Sequence, residues 1–126
     1  MKLEYLDAVN KNGDKIIGLY NFDSFEADKF RKAIIQTILE NNINLALSSM
    51  PFIQSVNCNL TFRLADSDIG ITTRDMKEFF CDLTKKAFEH LVFLLEPFCV
   101  GDKHGYQWLY DTNSEIELLF SPDGKW

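Results

Sequence analysis

Hydrophobic and polar positions change their period several times along this chain, and each change predicts an element. Alternation comes first: "LEYLDAV" (3–9) and "IIGLYNF" (16–22) flank "NKNGDK". Asn12-Gly13 is the strongest short signal for a type I′ hairpin turn. A turn centred there sets Val9 against Ile16, Tyr5 against Tyr20 and Leu3 against Phe22. Leu6, Ala8, Ile17 and Leu19 fall on the other face. A hairpin apolar on both faces is expected to be covered on both or to lie central in its sheet.

In "DSFEADKFRKAIIQTILENN" (23–42) the period becomes helical. Phe30, Ile34 and Ile38 recur along one stripe, which Ile35 and Leu39 widen. Asp23 with Glu26, or Ser24, supplies the N-cap, and Asn41-Asn42 ends the helix. "INLALSSM" (43–50) then alternates as a strand stopped by Pro51. "VNCNLTFRLA" (56–65) is a cleaner strand, with Cys58, Leu60, Phe62 and Leu64 inward and Asn59, Thr61 and Arg63 outward.

Residues 74–98 admit two readings. Met76, Phe79, Phe80, Leu83, Ala87, Leu91 and Leu95 fit one face of a long helix. Alternatively, "KEFFCDL" (77–83) is a strand and Thr84 caps a shorter helix, "KKAFEHLVFLLEPF". The second is preferred, because phenylalanine-rich segments favour strands and Thr84 is a good cap residue. "ADSDIGITTRD" (65–75) would then connect antiparallel partners, with Arg63 near Glu78 and Cys58 near Leu83. A second hairpin closes the chain, "YQWLY" (106–110) with "EIELLF" (115–120) across "DTNS". Its expected ladder stacks Tyr110 on Ile116, Trp108 on Leu118 and Tyr106 on Phe120. "SPDGKW" is a terminal turn from which Trp126 folds back. The prediction is a single α+β domain over 1–126: a mainly antiparallel sheet of about seven strands with two inserted helices, in the order ββαβββαββ.

Composition narrows the function classes. A chain of 126 residues, 46% hydrophobic with 11 phenylalanines, builds its own core without staples. The longest apolar run, "LVFLL" (91–95), is far too short to span a membrane. Glu4, Asp7 and Asp14 near the start are unlike a secretory signal, so a cytoplasmic protein without a membrane role is expected. A net charge of −6 and the absence of a basic stripe argue against nucleic-acid binding, since "KFRK" (29–32) is offset by Glu26 and Asp28. Cys58, Cys81 and Cys99 lack zinc-knuckle spacing and are expected to be free thiols, and no cofactor is implied.

Phosphate-loop, metalloprotease and nucleophile-elbow signatures are missing. In "CVGDKHG" (99–105), Cys99, Asp102 and His104 are the one local set offering thiol, carboxylate and imidazole for a cysteine-dependent reaction. The same three, with His90, are the only grouping for a metal, and their spacing is irregular. Against catalysis, Cys99 follows Phe98 at a helix end, where apolar packing raises a thiol pKa. On the wet face of strand 77–83, Glu78 and Asp82 flank Phe80, opposite Asn59, Thr61 and Arg63. An apolar ring among polar neighbours predicts cover by a helix, loop or partner.

The segments "LYNFDSFEADKFRKAI", "LLEPFC" and "GYQWL…EIELLFSPDGKW", in this order, resemble a family of small bacterial α+β proteins with no known activity. The similarity spans most of the chain and rests on aromatic, turn and cap positions. It implies a fold and transfers no catalytic residue. Function is therefore expected to be non-catalytic: a partner-binding or regulatory module. It would dock a protein partner or a second copy through Asn59, Arg63, Glu78, Phe80 and Asp82, or through the aromatic C-terminal hairpin. The alternative is a small Cys/His-dependent enzyme or metal-binding protein using the 99–104 loop.

Overall fold

The computed structural model describes residues 1–7, 15–101, 104–110 and 114–124. Among these, nine strands form one mixed, mostly antiparallel sheet, with two helices inserted between strands. The strands are β1 (Lys2–Leu6), β2 (Lys15–Tyr20), β3 (Leu45–Ala46), β4 (Gln54–Ser55), β5 (Asn59–Leu64), β6 (Gly70–Thr73), β7 (Glu78–Leu83), β8 (Gln107–Trp108) and β9 (Ile116–Ser121). The helices are α1 (Ser24–Ile34) and α2 (Lys85–Leu95). The α+β class is as predicted. The order is ββαβββββαββ, because the span between the helices holds, besides the three predicted strands, the two-residue β4 and the four-residue β6.

Both helices start where the sequence predicts. Asp23 has extended backbone and its Oδ1 accepts from Glu26 N at 2.9 Å. Thr84 Oγ1 accepts from Ala87 N at 3.2 Å, so the strand Glu78–Leu83 is followed by a capped helix, as the preferred reading has it. Each cap satisfies an amide that has no intrahelical partner. At its far end α1 widens into a π-helical segment, Ile35–Glu40, with Ile38 buried. Asn41 Nδ2 donates to Gln36 O, and Asn42 turns out of the helix at φ 55°.

The sheet order is β3-β5-β7-β6-β9-β2-β1-β4, with β8 on β9. Alternation sends Leu60, Phe62, Phe79, Cys81, Leu83, Leu118 and Phe120 to one face, where they pack with Phe30, Ile34, Ile38, Phe88, Leu91 and Leu95 of the helical layer. Phe30 lies 6.1 Å from Phe62 and 5.9 Å from Phe120, and Phe88 lies 5.5 Å from Phe62. On the opposite face, Ile16 and Leu119 are also buried. The β2–β9 half of the sheet is thus closed on both sides, as expected for strands apolar on both faces.

Several pairings differ from expectation. β1 meets β2 with Tyr5 opposite Ile17 and Leu3 opposite Leu19, an odd shift that exchanges faces relative to the predicted Tyr5–Tyr20 pairing. The predicted Asn12-Gly13 turn lies outside the described residues, as do Asn113 of the "DTNS" connection and Trp126. In the C-terminal hairpin Trp108 opposes Leu119 and Gln107 opposes Phe120, a one-residue slip that removes the expected aromatic ladder and leaves Tyr106 exposed. The predicted strand 43–50 shrinks to β3, because Leu47–Ser49 forms a 3-10 turn in which Ser49 Oγ donates to Ala46 O. β5 and β7 run parallel, not antiparallel, because β6 returns the chain between them.

The slip at the C-terminal hairpin has a physical cause. One edge of β9 serves both β6, through the single pair Ile71–Ile116, and β8, through Leu119 and Phe120. The ladder forks there, and Tyr110 fills the fork: its hydroxyl contacts Ile116 O and Ser114 Oγ. Burial holds this phenol well above its ordinary pKa. Tyr110→Phe keeps the ring and deletes the bridge. It is expected to cost about 1–2 kcal/mol, read as a lower urea midpoint at unchanged slope. An unchanged midpoint would show that the fork needs no bridge.

Candidate functional site

The outer face of β5, β7 and β6 is a polar lattice set by register. Asn59 stands opposite Glu78, Thr61 opposite Phe80 and Arg63 opposite Asp82. Across the other edge of β7, Thr72 opposes Phe80 and Gly70 opposes Asp82. The five predicted binding residues, Asn59, Arg63, Glu78, Phe80 and Asp82, therefore do share one surface. Their pairing follows parallel register, so Arg63 is held by Asp82 and not by Glu78.

Every member but the ring has a polar partner inside the lattice. Arg63 Nε and Nη2 donate to Asp82 Oδ1 and Oδ2 at 2.6 and 2.8 Å, a bidentate fork. The Arg63 side chain is 38% exposed and that of Asp82 15%. The pair is therefore partly screened by solvent and contributes on the order of 1 kcal/mol. Asn59 Nδ2 donates to Glu78 Oε1 at 2.9 Å. Phe80, predicted to need cover, receives it from Arg63, whose guanidinium carbon lies 4.1 Å from the ring centroid. This stacking is available to the planar guanidinium while its edge bonds Asp82.

The β6 strand and its connection to β7 bring in two residues from the predicted 65–75 connection. Thr72 is exposed on the lattice, and Arg74 follows at the end of β6. Arg63, Thr72, Thr73, Arg74 and Phe80 line an open concavity of about 430 Å³. The β-branched run in "GITT" (70–73) is the signal that marks this strand. The turn is held by Asp75, whose Oδ1 accepts from Lys77 N and Glu78 N at 3.0 and 2.9 Å. These amides, that of Glu78 first, hold the Asp75 carboxyl below its ordinary pKa. Met76 sits at φ 61° in this turn, where a side chain is strained and glycine is not. Met76→Gly is expected to leave the fold intact and raise stability by about 0.5–1 kcal/mol in thermal unfolding. A fall in stability would mean that the exposed Met76 side chain makes contacts outweighing the strain.

The cluster of Cys99, Asp102 and His104 is not assembled among the described residues. Cys99 Sγ donates to Leu95 O at 3.4 Å, within the helical turn it ends. Burial, the larger influence, and the nearby Asp28 push its thiol pKa up, which disfavours the nucleophilic thiolate. The His104 side chain is 77% exposed and its Nδ1 lies 3.2 Å from Asp123 Oδ2, so its acidic partner is Asp123. His104, Asp23 and Asp123 line a cleft of about 170 Å³ to which Cys99 does not contribute. Asp102 lies outside the described residues. His90 is exposed on α2, beside Phe93. Among the described residues, no three His, Cys, Asp or Glu side chains are grouped to hold a metal ion.

Cys58 and Cys81 are buried, and all three cysteines are free. Burial pushes the Cys58 thiol from its ordinary 9.0 up to about 11 and pushes Cys81 up as well. No helix of the described residues is long and apolar enough to cross a membrane. No family model matches the chain, and neither the curated proteins nor the solved structures contain a match to it.

The raised thiol pKa values predict a loss of stability at alkaline pH. An acid whose pKa is raised by folding contributes stability that is complete below its unfolded pKa and is lost as pH rises toward the folded one. For Cys58 that window runs from 9.0 to about 11. Stability should fall across it by up to about 1.4 kcal/mol per pH unit for each such thiol. Thermal midpoints from pH 7 to 10.5 are expected to decline above pH 9, less steeply in Cys81→Ala. Equal slopes in the two proteins would remove Cys81 as a cause.

Proposed function

We propose that this chain is a non-catalytic binding module that docks a partner protein on the outer face of β5, β7 and β6. The observation that carries the reading is pre-organisation on an open surface. Arg63 is held at once by two bonds to Asp82 and by the Phe80 ring, while the helices cover only the other side of the sheet. Side chains already fixed in place lose little conformational entropy on binding. Docking by strand addition has less support. The terminal strands of the sheet, β3 and β4, have two residues each, which blunts both edges.

The enzyme or metal-dependent alternative finds no comparable support, because Cys99 and His104 are each bonded elsewhere. Three free thiols suit a reducing compartment, which supports a cytoplasmic location. Membership of the small bacterial family belongs to the same proposal and rests on the aromatic and cap positions alone.

Site-specific photo-crosslinking in cells tests the reading. Benzoyl-phenylalanine at exposed Thr72 is expected to give a discrete protein adduct that the same group at Glu89, exposed on α2, does not. An adduct of twice the chain's mass would identify the occupant as a second copy. No adduct, or the same adducts from both positions, would sink the docking face.

A further inference from the structure

The two arginines of the docking face reach it from opposite ends of the β7 pairing, and the Arg63 guanidinium lies over the Phe80 ring. Arg63 enters from the Asp82 end of β7, and Arg74 lies beyond the Thr72–Phe80 pair at the Glu78 end. Thr72, exposed, stands between them. The concavity these residues define is lined by two arginines, two threonines and a phenylalanine, with no carboxylate. That is a local inversion of charge in a chain whose net charge is −6.

The nearby acids are already engaged. Both Asp82 oxygens accept from Arg63, and Glu78 Oε1 accepts from Asn59 Nδ2. Arg74 makes no hydrogen bond or ion pair among the described residues. A fixed cation, a free cation, a hydroxyl and a phenyl ring in one concavity are complementary to a carboxylate attached to an aliphatic stem. Resting on the docking reading above, we propose that the partner presents an acidic segment here. Its aspartate or glutamate carboxylate bonds the Arg74 guanidinium and Thr72 Oγ1, and its methylene groups lie against Phe80.

Arg63 acts as the positioning group: it spends two donors on Asp82 and fixes the ring. Arg74 supplies most of the recognition. A solvent-open site built on so few charged contacts binds a short peptide weakly, with Kd on the order of 1 mM.

The probe is acetyl-tetraglutamate amide, titrated into the 15N-labelled protein and followed by amide shifts. Acetyl-tetralysine amide and inorganic phosphate are run in parallel. The expected result is saturable movement of Thr72, Thr73, Arg74 and Phe80 with the glutamate peptide and none with the lysine peptide. Arg74→Gln, at an exposed position, should weaken the affinity roughly threefold to tenfold, and so should raising salt from about 50 to 300 mM. Lys86→Gln, on α2 away from this face, should leave it unchanged. Shifts that do not saturate, centre elsewhere or survive unchanged in Arg74→Gln would overturn the proposal. So would saturation by phosphate with a silent glutamate peptide, which would reassign the site to phosphate. A silent peptide alongside specific cross-links from Thr72 would overturn this inference alone and leave the docking face standing.

Discussion

Phe120 is the residue on which the arrangement of the layers depends. Its ring lies 4.2 Å from Phe22, 5.9 Å from Phe30 and 5.1 Å from Phe98. Those three neighbours come from the approach to α1, from α1 itself and from the 3-10 turn after α2. Phe30 continues the contact to Phe62, and Phe62 to Phe88, so a chain of rings ties both helices to two separate strands. Each aromatic pair adds on the order of 0.5–1.5 kcal/mol beyond area burial. The arrangement also has a kinetic side. β9 pairs in parallel with β2, so residues 15–20 wait for residues 116–121 before the centre of the sheet is complete. Such non-local pairing slows folding, because loop closure precedes the contacts that offset its entropy.

Committing both helices to one face leaves the other to satisfy itself. Over β2 and β9 it does so with apolar residues, burying Ile16 and Leu119. The turn after β9 joins in: Gly124 has φ +70°, and a Cβ there would meet the Tyr20 ring at 3.1 Å. Over β5, β7 and β6 the same face uses cross-strand charge and amide pairs, with the Arg63 stem and guanidinium replacing a covering element over Phe80. Polar pairs of this kind add little stability, since water competes for each of them. Their effect is geometric: they fix where donors point on a surface that no other element of the described residues covers.

What the sequence made legible follows from the range of the forces involved. Caps are local, and Asp23 and Thr84 act at the positions their side-chain chemistry predicts. Period is local too, so the burial of Phe30, Ile34 and Ile38 and of Leu60 and Phe62 was readable. Register is not local. Whether Trp108 meets Leu118 or Leu119 depends on how β6, β8 and Tyr110 share one edge of β9, and no feature of 106–110 encodes that competition. The strands β4 and β6 are too short for their alternation to rise above loop composition. The apparent cluster at 99–104 had the converse defect. Nearness in sequence suggested a contact, but the 3-10 turn binds Cys99 back to Leu95 while His104 turns to Asp123.

The direction of one strand decides what the candidate site can do. In either orientation about the centre of the pairing, Thr61 falls opposite Phe80, so the ring is the fixed point of the lattice. The ends exchange. An antiparallel β5 would bring Arg63 to Glu78, at the end of β7 where Arg74 emerges, and would gather both cations and an acid at one corner. The parallel pairing that is present sends Arg63 to Asp82 and leaves Glu78 to Asn59. Arg63 and Arg74 thereby come from opposite ends of the β7 pairing, Asp82 and Glu78 each have a separate partner, and the concavity between is lined by both arginines, Thr72, Thr73 and Phe80. Cross-strand order, set by the insertion of β6 between β5 and β7 in the chain, converts a set of ordinary wet-face residues into a polarised concavity.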